Sequence, residues 1–202
     1  HMSYSKCHRL LSMPIEYLGY VPECVDINQT NFKTLDLTKY SGVTFWVGRS
    51  SFKNNPSVID WISQTVGKKK ILFLGSVPED RTLLNQLEIS QNSDLSGKIE
   101  ISQGSQLLLN YSTKAIPQFS PFEIYAGWKL NQQQSKIFLQ LKDESNRHSD
   151  LIFKTSWGGA AITPMPIATL ANTQSSWMLD PFWILTELLQ LDDIPVADVT
   201  TE

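Results

Sequence analysis

Ser76 stands in the stretch Leu72-Phe73-Leu74-Gly75-Ser76-Val77-Pro78, an apolar run closed by Gly-Ser and a proline. A small hydroxyl at a sharp strand-to-helix turn is how elbow-type hydrolases and glutamine amidotransferases expose their nucleophile. Such a serine needs an imidazole to take its proton and a carboxylate to orient that imidazole. The chain has three histidines. His1 reads as part of a tag remnant, His8 falls on the first predicted helix, and His148 falls in a polar hairpin turn. None opens the His-x-Glu spacing that amidotransferases use. No catalytic residue is therefore assigned, and Ser76 is kept only as a candidate nucleophile. The plain reading is a Gly-Ser turn that lets a strand end tightly.

A second group of residues could hold a ligand. Trp157-Gly158-Gly159 places two glycines after a large ring, which suits a positive φ or a close backbone approach. A tryptophan exposed beside such a turn would stack on a sugar face. Trp128 follows Gly127 in a loop-like stretch and is expected to be exposed. Trp128, Trp157, Gly158 and Gly159 are thus the candidate ligand-binding residues; the competing reading of the last three is a bulge beside a core tryptophan. Trp46 and Trp61 are expected in the core. The loop Gly48–Asn55 carries hydroxyls and two cations at the end of a predicted strand. Ligands of open α/β sheets bind there, so Arg49, Ser50 and Ser51 are candidates for flavin or phosphate. Gly42-x5-Gly48 has neither the spacing nor the lysine of a nucleotide-binding loop, and no cofactor is expected. Glu123, Asp143, Glu144 and Asp150 are carboxylates without a partner at fixed spacing, whereas a glycosidase needs two across one cleft. Lys68-Lys69-Lys70 reads as a solvated strand end. Cys7 and Cys24 form no C-x-x-C, so no zinc site is expected. A disulfide could join them, but no spacing demands it, and two thiols are the expected state.

The elements that must position these residues follow from periodicity. Ser5–Tyr20 reads as a helix, with Leu10, Leu11, Ile15 and Leu18 at helical spacing, a bend at Met13-Pro14 and a stop at Gly19. Pro22–Ile27 reads as a short strand, and Gln29–Tyr40 as a polar connection anchored by Leu35 and Leu37. Gly42–Val47 and Lys70–Leu74 are apolar runs expected to be covered on both faces. Pro56–Val66 is a helix with proline in its first turn and Gly67 at its end. Glu79–Leu87 is another, with acidic residues in its first turn. Lys98–Ser102, Gln106–Ser112, Lys136–Asp143, Leu151–Ser156, Ala160–Thr163 and Trp177–Leu179 read as strands, the middle pair joined by the polar turn Glu144–Asp150. Asp180 is expected to cap a closing helix, Pro181–Gln190. The rhythm implies an α/β fold: a flavodoxin-like, three-layer parallel sheet with an added antiparallel portion, which resembles the class I amidotransferase architecture. Residues 3–92 form the parallel half. Residues 93–191 form the β-rich half and closing helix of the same domain. A first strand is missing from this pattern, and its place would be an unpaired position at the sheet centre, open to dimerisation.

Composition bounds the rest. The 202 residues carry 17 basic and 20 acidic side chains, a net charge of −3. A mildly acidic chain exerts no long-range pull on phosphate, so a nucleic-acid partner is not expected. Six Trp, nine Phe and six Tyr exclude a disordered chain. No apolar run reaches the ~18 residues of a spanning helix. Residues 1–2 read as a tag scar, and 192–202, ending Asp-Val-Thr-Thr-Glu, as a linker toward a following domain. The chain is expected to be an excised fragment.

Three stretches carry a resemblance. They are Met13-Pro14-Ile15-Glu16-Tyr17-Leu18-Gly19-Tyr20; Ser156-Trp157-Gly158-Gly159-Ala160; and Trp177-Met178-Leu179-Asp180-Pro181-Phe182 with Ile194-Pro195-Val196-Ala197-Asp198-Val199-Thr200-Thr201. Together they resemble the middle region of PelA-type proteins, large secreted or periplasmic proteins of Pel exopolysaccharide biosynthesis. The resemblance implies a flavodoxin- or amidotransferase-like module between a glycoside hydrolase and a polysaccharide deacetylase. Those neighbouring domains and an amino-sugar polysaccharide would be its partners. The implied role is a non-catalytic structural or glycan-contacting module, periplasmic or secreted, with the parent's catalytic residues outside this sequence. The alternative is an enzyme of its own, using Ser76, or a flavin- or nucleotide-binding module.

Overall fold

The structure is a computed structural model. It describes residues 6–53, 55–107, 125–131, 135–162, 168–171, 174–177 and 179–191. The tag remnant, Glu123, residues 108–112 of the expected strand Gln106–Ser112, and the expected linker 192–202 lie outside them. No helix among the described residues is long and apolar enough to cross a membrane.

The chain begins with a π-helical turn, Cys7–Leu11, that runs into α1 (Ser12–Tyr17). Pro14 has no N–H to give to Leu10, so a regular ladder cannot continue through it. The turn widens instead: the Ser12 N–H reaches back to the Cys7 carbonyl, and its hydroxyl donates to the same oxygen at 3.1 Å. Gly19, at φ +83°, ends the helix, with the Tyr20 N–H on the Ile15 carbonyl at 3.1 Å. The two cysteines are joined, which corrects the expectation of two thiols: Cys7 and Cys24 form a disulfide with their Cα atoms 5.9 Å apart. Pro22–Ile27 is not a strand, contrary to the sequence reading. Pro22 lacks a ladder donor, and among the described residues no neighbouring strand offers this segment a ladder. It is held by the disulfide, by the Tyr40 hydroxyl on the Glu23 carboxylate, and by the Asn55 amide on the Ile27 carbonyl. The bond to Glu23, with burial second, pushes the Tyr40 hydroxyl up to about 12. The connection that follows is anchored by Phe32, 6% exposed, more firmly than by the half-buried Leu35 and Leu37.

The parallel part of the sheet is β1 (Gly42–Trp46), β2 (Lys70–Leu74) and β8 (Gly158–Ala161). The helices between β1 and β2 are α2 (Arg49–Lys53) and α3 (Pro56–Thr65). Val58, Ile62 and Thr65 bury one face of α3. After β2 comes α4 (Arg81–Gln86), capped by Asp80, whose carboxylate accepts the Leu83 N–H at 2.8 Å. Then come β3 (Ile89–Leu95), β4 (Ile99–Gln103), β5 (Tyr125–Leu130), β6 (Lys136–Asp143) and β7 (His148–Thr155). β6 and β7 form the expected hairpin, and its turn is shorter than predicted because β7 already begins at His148. β9 (Ala168–Ala171) and β10 (Gln174–Trp177) pair with each other. The closing helix is a short turn, α5 (Pro181–Trp183), running into a π-helical turn, Ile184–Leu188, with Asp180 as its expected cap.

The six-stranded sheet is ordered β1-β2-β8-β7-β6-β4. β1, β2 and β8 are parallel, and β7, β6 and β4 alternate onward antiparallel. This is a mixed α/β sheet with an antiparallel extension, as the sequence implied at that level. The expected vacancy at the sheet centre is not there: β2 is flanked directly by β1 on one side and β8 on the other. Among the described residues β1 is an outer strand, which explains why only its Phe45 is fully buried while β2 is buried from Ile71 to Leu74. Phe45 lies against Phe73 with centroids 5.6 Å apart, and Phe52 and Trp61 close around the pair.

Candidate functional site

The strand-end turn after β2 is where a nucleophile would stand. Gly75 makes the turn at φ +91°, with its N–H on the Ala161 carbonyl at 2.9 Å. The following Ser76 is 9% exposed and its hydroxyl donates to the Val77 carbonyl at 3.2 Å. Among the described residues no histidine is bonded to it. His148 stands at the start of β7 and its Nδ1 meets the Gln140 Oε1 at 3.0 Å. Ser76 is packed into the turn.

The expected loop 48–55 is largely helical. In α2, Phe52 is 1% exposed and plugs the aromatic core, and the Ser51 N–H closes back on the Gly48 carbonyl at 3.1 Å. A helix of five residues offers little dipole for a phosphate. Lys53, one of its two cations, faces Glu79 at 3.8 Å. The side chains of Arg49 and Ser50 lie outside the described residues. Ser51 thus closes a turn at the place considered for a flavin or phosphate.

Both candidate sugar-stacking tryptophans are buried, which corrects the expectation of an exposed Trp128 and agrees with the competing reading of Trp157 as a core ring. Trp157 is 4% exposed, and its indole N–H donates to the Leu87 carbonyl at 3.0 Å. It stands edge-on to Phe73 and Phe153. Trp128 is 5% exposed and sits in β5, not in a loop. Gly158, at φ +138°, lets β8 approach β2; a Cβ there would collide with the Ile71 carbonyl. Gly159 is pressed between the Phe153 carbonyl and Leu188. The glycines serve close packing.

The hairpin carboxylates are structural as well. Asp143 accepts the backbone N–H groups of Ser145 (2.9 Å), Arg147 (3.0 Å) and Ser96 (3.2 Å), and the Arg147 guanidinium at 2.7 Å. Burial pushes its carboxyl up, but these donors outweigh it and hold it down at about 2. Asp150 accepts the Leu130 N–H at 3.1 Å and the Gln140 amide at 2.8 Å. Next to it, the Ser149 hydroxyl takes the Trp128 N–H and gives its proton to the Ala126 carbonyl, both at 2.9 Å. Two side chains of β7 thereby satisfy the edge of β5. No group of three or more His, Cys, Asp or Glu able to hold a metal occurs among the described residues.

Surface aromatics occur elsewhere, at Tyr17 and Phe182, with Trp183 beside them. Tyr17 is 68% exposed on α1 and meets Phe182 of α5 edge-on at 5.1 Å. The neighbouring Trp183 meets Phe138 of β6 at 5.0 Å, and the Lys136 ammonium lies 4.7 Å from the Phe138 ring centre. Phe138, Phe182 and Trp183 are half-buried. No signal marked Tyr17, which falls seven residues after Leu10 and so beside the predicted apolar stripe. Phe182 was hidden likewise, on the apolar face of the closing helix. No protein-family model matches the sequence, and no curated protein matches it.

Proposed function

We propose that this chain is a non-catalytic, glycan-contacting module of an extracytoplasmic polysaccharide-modifying protein of the Pel type. The observation that carries the reading is the aromatic surface formed by Tyr17 and Phe182, with Trp183, Phe138 and Lys136 beside it. Amphipathic rings held by edge contacts are pre-ordered for stacking on a sugar face. The packed state of Ser76 supports a non-catalytic role, and the Cys7–Cys24 disulfide supports an oxidising compartment. The finer fold assignment belongs to the same reading: three parallel strands with α3 as a crossover fit a flavodoxin- or amidotransferase-like core, extended by antiparallel strands. The resemblance noted above supplies the partners, an amino-sugar polymer and the neighbouring hydrolase and deacetylase. The net charge of −3 suits a polymer bearing free amines.

The test is a titration with short oligomers of glucosamine and of N-acetylglucosamine, followed by tryptophan emission. Trp183 is the reporter nearest the surface. Binding is expected, with Tyr17→Ala weakening it about tenfold, equivalent to ~1.4 kcal/mol. Unchanged emission with both oligomers at millimolar concentration would sink the reading.

A further inference from the structure

We propose that the outer edge of β1 is a dimerisation edge, at which a second copy of this chain adds its own β1 in antiparallel register centred on Thr44. The two ends of the six-stranded sheet are built differently. At the far end, β4 is guarded: Lys98 pairs with Glu100 at 2.9 Å beside its start, and its ladder with β6 is bulged between Ile101 and Gln103. Charges and bulges are usual means of keeping an edge from pairing. The residues of β1 supply neither; at its end the Lys6 ammonium lies over the Trp46 ring, 5.3 Å from the ring centre. Its sequence, Gly-Val-Thr-Phe-Trp, holds no charge and no proline, and its ladder with β2 runs without a shift from Gly42 to Trp46. Among the described residues no strand pairs with its outer side. Its composition is that of a strand covered on both sides, yet four of its five residues are only half-buried.

The strand fits its own copy. A two-fold axis at Thr44 sets Thr44 against Thr44, Val43 against Phe45, and Gly42 against Trp46. The inner pairs are of a favourable type, hydroxyl with hydroxyl and β-branched with aromatic, while Gly42 is already covered by Leu189 of its own chain. No like charges face each other, so self-pairing meets no electrostatic penalty. Such an interface is isologous and closes at two subunits.

Sedimentation equilibrium of the intact chain tests this. A dimer is expected at micromolar concentration. Thr44→Lys, which opposes two ammonium groups at the axis, should raise the dissociation constant at least about tenfold while circular dichroism stays unchanged. Thr44→Cys gives an independent readout. Residues directly opposite in an antiparallel pair have Cα atoms about 4.5–5.5 Å apart, within disulfide range. Under mild oxidation this variant should cross-link to a dimer, and Ser102→Cys on β4 should not. Three results would overturn the proposal: a monomer throughout, a dimer indifferent to Thr44→Lys, or cross-linking no faster at 44 than at 102. A monomer whose Thr44 amide resists hydrogen exchange would show that another part of the chain covers the edge, and it too would overturn the proposal.

Discussion

Gly158 sets how closely β8 approaches β2. Its φ of +138° is one that L side chains rarely adopt, and a Cβ would meet the Ile71 carbonyl, whose own N–H is bonded to the Trp157 carbonyl at 2.9 Å. Backbone cannot yield here as a flexible side chain would. Gly158→Ala is expected to lower stability by at least ~3 kcal/mol in urea unfolding. Gly48→Ala, with open space around it, should stay within ~0.5 kcal/mol and serves as the control. The glycine pair was legible in the sequence as a site of unusual backbone, and Asp180 as a cap. Which way Trp157 pointed was not. A ring beside two glycines is consistent with a sugar platform or a core plug, and the choice was made by Leu87, seventy residues away, whose carbonyl takes the indole proton.

At the scale of elements, the N-terminal helix is fastened to the segment after it by covalent and local contacts. The disulfide closes a loop with a sequence separation of 17, and chain-entropy arguments give ~3 kcal/mol for a loop of about that size. Replacing both cysteines, Cys7→Ser with Cys24→Ser, is expected to lower stability by ~3 kcal/mol. Dithiothreitol should lower the wild-type melting temperature and leave the variant's unchanged; equal melting temperatures for the oxidised protein and the double variant would refute this. The strong elements α3, β2 and β6 were placed within a residue by periodicity, and the β6–β7 hairpin was recognised although β7 begins three residues earlier than expected. β3 and β5 were missed. β3 reads Ile-Ser-Gln-Asn-Ser-Asp-Leu and buries only its two ends, so no alternation marks it. β5 depends on Ser149 and Asp150 of β7 to satisfy its edge, a dependence that no local window contains.

For the whole molecule, acid stability is linked to Asp143, which ties the hairpin corner to the turn before β4. Its carboxyl is held down at about 2 in the folded protein, against an ordinary value near 4 in the unfolded chain. The folded state therefore binds the proton less readily than the unfolded one. The contribution is fully present above about pH 4 and is lost progressively as pH falls from about 4 through about 2. Asp143→Asn is expected to destabilise the protein near neutral pH and to flatten the dependence of the urea midpoint on pH in that window. A variant whose midpoint falls as steeply as wild type between those values would show that another group governs the acid transition.

The sequence by itself determined what short range can determine: an α/β chain, the buried strands and helices with a regular apolar face, the caps, and the glycines that need unusual backbone. It did so because burial on one face writes a period of two or 3.6 into neighbouring residues. The tertiary structure alone decided the rest. Pairing of β2 with β8 across more than eighty residues closed the sheet centre and made β1 an outer strand among the described residues. The same pairing enclosed Trp157, Ser76 was packed into its turn, and the aromatic surface moved to Tyr17 and Phe182. Each of these outcomes depends on which distant segment supplies the neighbour, and composition and spacing carry no record of that.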